Sequence, residues 1–274
     1  SVGLCRNPIA GSGATIGEGA VSIGDSNQAL DDFSIAIGKN NRLGQGNKNA
    51  IAIGTDNISI GGGATVIVDA SLFGHRNQII GSGYAEKVQL LGVDNTYFTP
   101  GSGTEKAIVY GIDNIVGGTA NAAKNVIVIG MGNVDSGDNS IMLSRNSTTL
   151  QSATTSVNIG HNNEVRGTEA VALGVSSIAA GGRSMAFGRD VNVFGEYSVG
   201  YSLSADSVNV SQNNIFSIQG GNVAIGDSAM PSGRTGLYID GNITYTGNLN
   251  KLIGGGAVNS SIFEDDGTFV KYNP

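Results

Sequence analysis

Residues 156–200 read SVNIGHNNEVRGTEAVALGVSSIAAGGRSMAFGRDVNVFGEYSVG. Glycine stands at 160, 167, 174, 181, 188 and 195, one every seven residues. Seven is also the coiled-coil period, but a heptad needs apolar a and d positions among strong helix formers. Here every seventh residue is Gly, which disfavours helix by ~1 kcal/mol per residue. Between the glycines, apolar residues alternate with small ones, the period of two that belongs to a strand. The unit is therefore a short strand and a tight turn, and two such half-turns make one coil of about 14 residues.

The same text extends outward. Small, apolar, small, apolar, Gly reads AVSIG at 20–24, SIAIG at 34–38, AIAIG at 50–54, AIVYG at 107–111 and VIVIG at 126–130. It continues as SVNIG at 156–160, AVALG at 170–174, SMAFG at 184–188 and NVAIG at 222–226, with degenerate copies such as ASLFG at 70–74 and SIMLS at 140–144. Three residues after the glycine stand Asn27, Asn41, Asn57, Asn77, Asn95, Asn114, Asn133 and Asn163. Gly supplies the positive φ of a tight turn. Asn tolerates left-handed backbone and bonds its own turn. Stacked coils are expected to align these Asn into a ladder.

Composition agrees. Gly is 44 of 274 residues and Pro only 4, which excludes collagen. A hydrophobic fraction of 39% with 14% charge opposes disorder. Net charge is −7, with 15 scattered Lys and Arg, so a nucleic-acid partner is not expected. No apolar run is long enough to span a bilayer. About thirteen coils at ~4.8 Å each predict a rod of roughly 60 Å. A coil this thin holds small inward residues such as Ala52 and Ala172, and sends Ile, Leu and Val of the same strand outward. That outer apolar face needs cover. No helix is predicted to supply it, so further copies of the chain should, and three-fold closure suits such a face.

SIAAGGRSMAFGRDVNVFGEYSVG at 177–200 resembles the head repeats of trimeric autotransporter adhesins, the YadA-like family. The resemblance covers roughly residues 11–230 and is closest at 20–57 and 156–200. It implies an all-β, left-handed parallel β-roll, homotrimeric, binding host matrix or cell-surface receptors. The usual neck motif, heptad stalk and barrel anchor do not occur in these residues. Three regions are expected: an N-terminal attachment segment at 1–18, the roll at 19–230, and a C-terminal hairpin or tip region at 231–274. GLYIDGNITYTGN at 236–248 and SSIFEDDGTFVKY at 260–272 each carry Asp-Gly between alternating apolar residues, a hairpin signal. Both segments resemble pieces of bacteriophage tail fibres.

From Gly54 to Gly130 the coils exceed 14 residues. The excess at 58–69, 78–87, 96–106 and 115–125 predicts loops stacked on one flank, a common binding face. Tyr84, Tyr97 and Phe98 lie there and are the tentative binding residues, able to stack on sugar rings or anchor a protein. The alternative is that they pack against the roll or a neighbouring subunit. His75 and His161 follow turn glycines and read as turn residues; no metal or cofactor is expected. Glu264, Asp265 and Asp266, like Asp31 and Asp32, read as solvated turn acids, not as a glycosidase pair. Gly61–Gly63 and Gly254–Gly256 lack the Lys-Ser/Thr of a phosphate loop.

The expected protein is a non-enzymatic, extracellular, trimeric fibre. A phage tail fibre contacting other tail proteins is slightly preferred over an adhesin head on a bacterial surface. A purely structural spacer and a glycan-degrading enzyme are the remaining readings.

Overall fold

The computed structural model describes residues 18–30, 32–44, 46–61, 67–81, 85–99, 106–117, 124–203 and 206–220, together with five separate strands, Val2–Arg6, Val223–Ile225, Leu237–Ile239, Ile262–Asp265 and Val270–Asn273. Regular structure among them is all β. The chain divides into two compact units, Ser1–Asn222 and Val223–Pro274.

The first unit is a parallel β-solenoid of about eleven turns, somewhat fewer than the repeats suggested. One sheet has fourteen strands, from Val2–Arg6 to Phe216–Gln219, and a second has twelve, from Gln28–Ala29 to Val208–Val210. Repeat falls on repeat: Ala36 pairs with Ala52 and Gly38 with Gly54, as Ala172 pairs with Ala186 and Gly174 with Gly188. The strand Val2–Arg6 pairs in parallel with Val21–Asp25. The segment expected to serve attachment thus begins as part of the first sheet.

The pleat sorts side chains by face. Ala36, Ala52, Ala172 and Ala186 are buried, while Ile53, Leu91, Ile129 and Leu173 of the same sheet are each more than a third exposed. The largest inward residues of the long coils are Leu72, Ile79, Leu90 and Tyr97, whereas the 14-residue coils around 170–186 hold Ala172, Ala179 and Ala186, all fully buried. A longer coil encloses more volume, and close packing requires larger side chains to fill it. Three two-residue strands, Asn47–Lys48, Ile67–Val68 and Ala85–Glu86, form a short additional sheet within this stretch and bring Ile67 into the core.

The glycine that ends each first-sheet repeat takes the positive φ expected of it, as at Gly38 (φ 118°) and Gly174 (φ 145°). A left-handed corner is also held by the residue just before the ladder Asn, for instance Asp56 (φ 56°), Asp94 (φ 57°) and Asp113 (φ 55°). The repeat glycine is required by closeness as well as by φ. At Gly111 (φ 136°) a Cβ would stand 1.7 Å from the carbonyl oxygen of Gly130 in the next coil.

In the second unit, Ile262–Asp265 and Val270–Asn273 pair antiparallel; the turn expected at Asp266-Gly267 lies outside the described residues. Leu237–Ile239 instead pairs in parallel with Val223–Ile225. The return strand expected after Asp240-Gly241-Asn242 lies outside the described residues. The paired strands at 223–225 and 237–239 flank the expected boundary at 230, so the division falls at 222/223.

Candidate functional site

The eight ladder asparagines are all buried. Each amide serves three coils. Asn95 Nδ2 donates to Asn77 Oδ1 (2.9 Å), to Leu91 O in its own turn (3.3 Å) and to Gly111 O in the next coil (2.8 Å). Its Oδ1 accepts from Asn114 N and Nδ2. Two members were not found by seeking Asn. Ser147 donates its backbone N–H to Asn133 Oδ1 at 3.2 Å, and its Oγ accepts from Asn163 N. Ser177 donates its N–H to Asn163 Oδ1 at 3.0 Å, and its Oγ donates to Gly188 O. The signal was the fixed offset of three from Ser144 and Gly174. This ladder satisfies buried polar groups and is structural.

The tentative binding aromatics separate. Tyr97 is fully buried, on the strand Thr96–Thr99 of the second sheet, and so is a core residue, not a loop residue offered to a partner. Phe98 alternates to the other face and is half-buried. Tyr84 lies outside the described residues. Gly61 pairs with Gly81 and Gly81 with Thr99, so these strand ends stand in one column; the residues at 62–66, 82–84 and 100–105 that carry most of the expected excess lie outside the described residues.

Inside the roll, the apolar core is interrupted between Met142 and Ala153. Polar residues fill the interval. Asp135 is fully buried; Ser140 Oγ donates to its Oδ2 at 2.5 Å and Gly137 N to its Oδ1 at 3.1 Å. Burial pushes its carboxyl up to about 6, against which the two hydrogen bonds act. It and its serine partner are both enclosed by the coils, Ser140 being only 1% exposed.

The surface corners carry charge pairs. Arg76 forms a two-pronged pair with Asp94, which holds that carboxyl below its usual range. His75 Nδ1 stands 4.0 Å from Asp56, and His161 lies beside Arg145. No group of three metal-ligating side chains occurs among the described residues.

A second left-handed corner leads back into the first sheet. In several coils it holds short Asn or Asp, as at Asn49, Asp69, Asn125 and Asn139, the non-glycine types most at home there. Longer residues also take it, Phe33 and Lys87 in earlier coils and Thr155, Glu169, Arg183 and Tyr197 further along, all with φ from 54° to 59°. Bulky residues in this region typically carry strain on the order of 1 kcal/mol or more. Glu169 and Arg183 form a bidentate pair, with Nε–Oε2 at 2.8 Å, and the guanidinium lies 5.2 Å from the Tyr197 ring centroid while bonding its hydroxyl. The hydrogen bond from Arg183 lowers the Glu169 carboxyl, and Glu169 raises the guanidinium. Exposed pairs add little stability, so packing does not account for these residue types.

These features define an all-β parallel solenoid with a polar ladder inside and a sculpted, partly aromatic corner outside. The chain carries YadA-like head repeats: the family model for the YadA head domain repeat matches twice, at residues 16–41 and 166–190. The first match contains the corners at Gly24-Asn27 and Gly38-Asn41; the second contains Gly174, Ser177, Gly181 and Arg183. A search of curated proteins returns no match.

Proposed function

We propose that the chain is a non-enzymatic, homotrimeric adhesive head whose roll presents a receptor-binding surface outside the cell. The two head-repeat matches within one continuous solenoid carry this reading. The trimer is supported by the outward rows of the first sheet, where Leu91, Ile129, Leu143, Leu173 and Tyr201 each stay more than a third exposed. Monomeric proteins rarely leave a continuous apolar stripe uncovered, and a three-fold arrangement of left-handed rolls would cover it. The receptor is a cell-surface glycan or protein, and no cofactor takes part. A phage tail fibre is the second reading, favoured by the antiparallel hairpin at 262–273 and its resemblance to tail-fibre text. Attachment of the purified chain to cells and to matrix-coated surfaces tests the adhesive role. Binding to eukaryotic cells or matrix supports the adhesin head, binding to bacterial envelopes supports the fibre, and binding to neither leaves a spacer.

A further inference from the structure

Thr168, Glu169, Gly182, Arg183, Glu196 and Tyr197 line a cleft of about 280 Å³ on the corner of three successive coils. They form two columns at a spacing of fourteen, one Thr168–Gly182–Glu196 and the other Glu169–Arg183–Tyr197. The middle of the first column has no side chain. A Cβ on Gly182 would meet only Thr168 O, at 4.0 Å, so the notch is open space and not a tight backbone contact. The second column forms one wall, its three side chains tied together through Arg183. Tyr197 nevertheless remains 54% exposed.

We infer that this notch binds a neutral sugar ring, a step that rests on the adhesive reading above and names its ligand class. A pyranose offers apolar C–H faces to an aromatic ring and adjacent hydroxyls to carboxylate and guanidinium groups. Glu169 and Glu196 supply acceptors, Arg183 supplies donors, and Tyr197 supplies the platform. The Thr168 hydroxyl already donates to Ser152 O at 3.0 Å, which leaves its lone pairs as acceptors. Two carboxylates against one guanidinium disfavour an acidic sugar. Because Arg183 is already fixed by Glu169, little side-chain freedom remains to be lost on binding. The volume is close to the lower end of small-ligand pockets, room for one or two rings.

The test is calorimetric titration of the full chain with lactose, N-acetyllactosamine, maltotriose and sialyllactose, in parallel with cell attachment. At least one neutral saccharide should bind. Gly182→Val, which fills the notch, and Tyr197→Ser, which removes the platform, should each weaken it by about tenfold or more, with melting temperature and solution mass unchanged. No binding by any neutral saccharide, binding of sialyllactose alone, or binding that both variants leave intact would overturn the site. Attachment that survives Gly182→Val overturns the site and leaves the adhesive role standing. Wild-type chain that does not attach, yet binds the saccharide through the notch, overturns the adhesive role alone.

Discussion

Gly181 and Gly182 are neighbours in the chain with opposite surroundings. A Cβ on Gly181 would lie 2.2 Å from the carbonyl oxygen of Gly195, whereas one on Gly182 would meet nothing closer than 4.0 Å. Gly181 does not have a positive φ, so its requirement is steric: the next coil sits where a side chain would be. Gly181→Ala should destabilise the roll by about 2–4 kcal/mol, since backbone cannot rotate out of the way. Gly182→Ala should stay within about 0.5 kcal/mol of wild type. Denaturant midpoints of the two variants check the contrast.

The ladder predicts graded losses. Asn95→Ala removes the side-chain donor to Gly111 O and the acceptor for Asn114 N and Nδ2, and leaves Asn77 Oδ1 only the residue 95 backbone N–H. Each buried group left alone costs about 1–3 kcal/mol. Asn95→Ser should recover part of this loss, because Ser147 and Ser177 already hold the same place. Equal stability of the Ala and Ser variants would contradict the ladder's role.

Asp135 gives the stability a pH signature. Its folded-state value of about 6 lies above the ordinary 3.8, so the folded chain holds a proton that the unfolded chain has lost. Stability from this group is full below about pH 4 and falls as pH rises to about 6, by ~3 kcal/mol in total. Asp135→Asn should remove that decline. Unfolding free energies at pH 4, 5 and 6.5 for both proteins measure the difference, and parallel curves would refute it.

Tyr97 and Phe98 should behave oppositely despite adjacency. Tyr97→Ala opens a cavity in a fully buried layer and should cost about 3–5 kcal/mol. Phe98→Ser, on the outward face, should leave the monomer's fold largely intact. Thermal melts of the two variants decide this.

How much of this was legible in the sequence follows from what repeats encode. The seven-residue glycine spacing and the alternation around Ala172 fix register, because one repeat per turn is the only stacking that places Gly174 beside Gly188. Burial of Tyr97 was legible only as one of two alternatives, packing against the roll or exposure to a partner. Counting surplus residues in a long coil places them after Asn95, but not whether a strand continues through Thr99 before the excess begins. The role of Gly181 was half legible: its spacing was evident, but contact with Gly195 belongs to the next coil and appears only once the coils are stacked. The Glu169–Arg183–Tyr197 corner was missed because its members are fourteen apart and of three different types. No local pattern marks them, and only the stacking brings them together.

The central claim is that the apolar rows of the first sheet are covered by two further copies of this chain. Light scattering on the purified protein measures it most directly. A particle of three times the 27.7 kDa chain mass, reduced to single chains by Leu173→Glu, is the predicted result. A stable monomer with Ile129 and Leu173 open to water would contradict it.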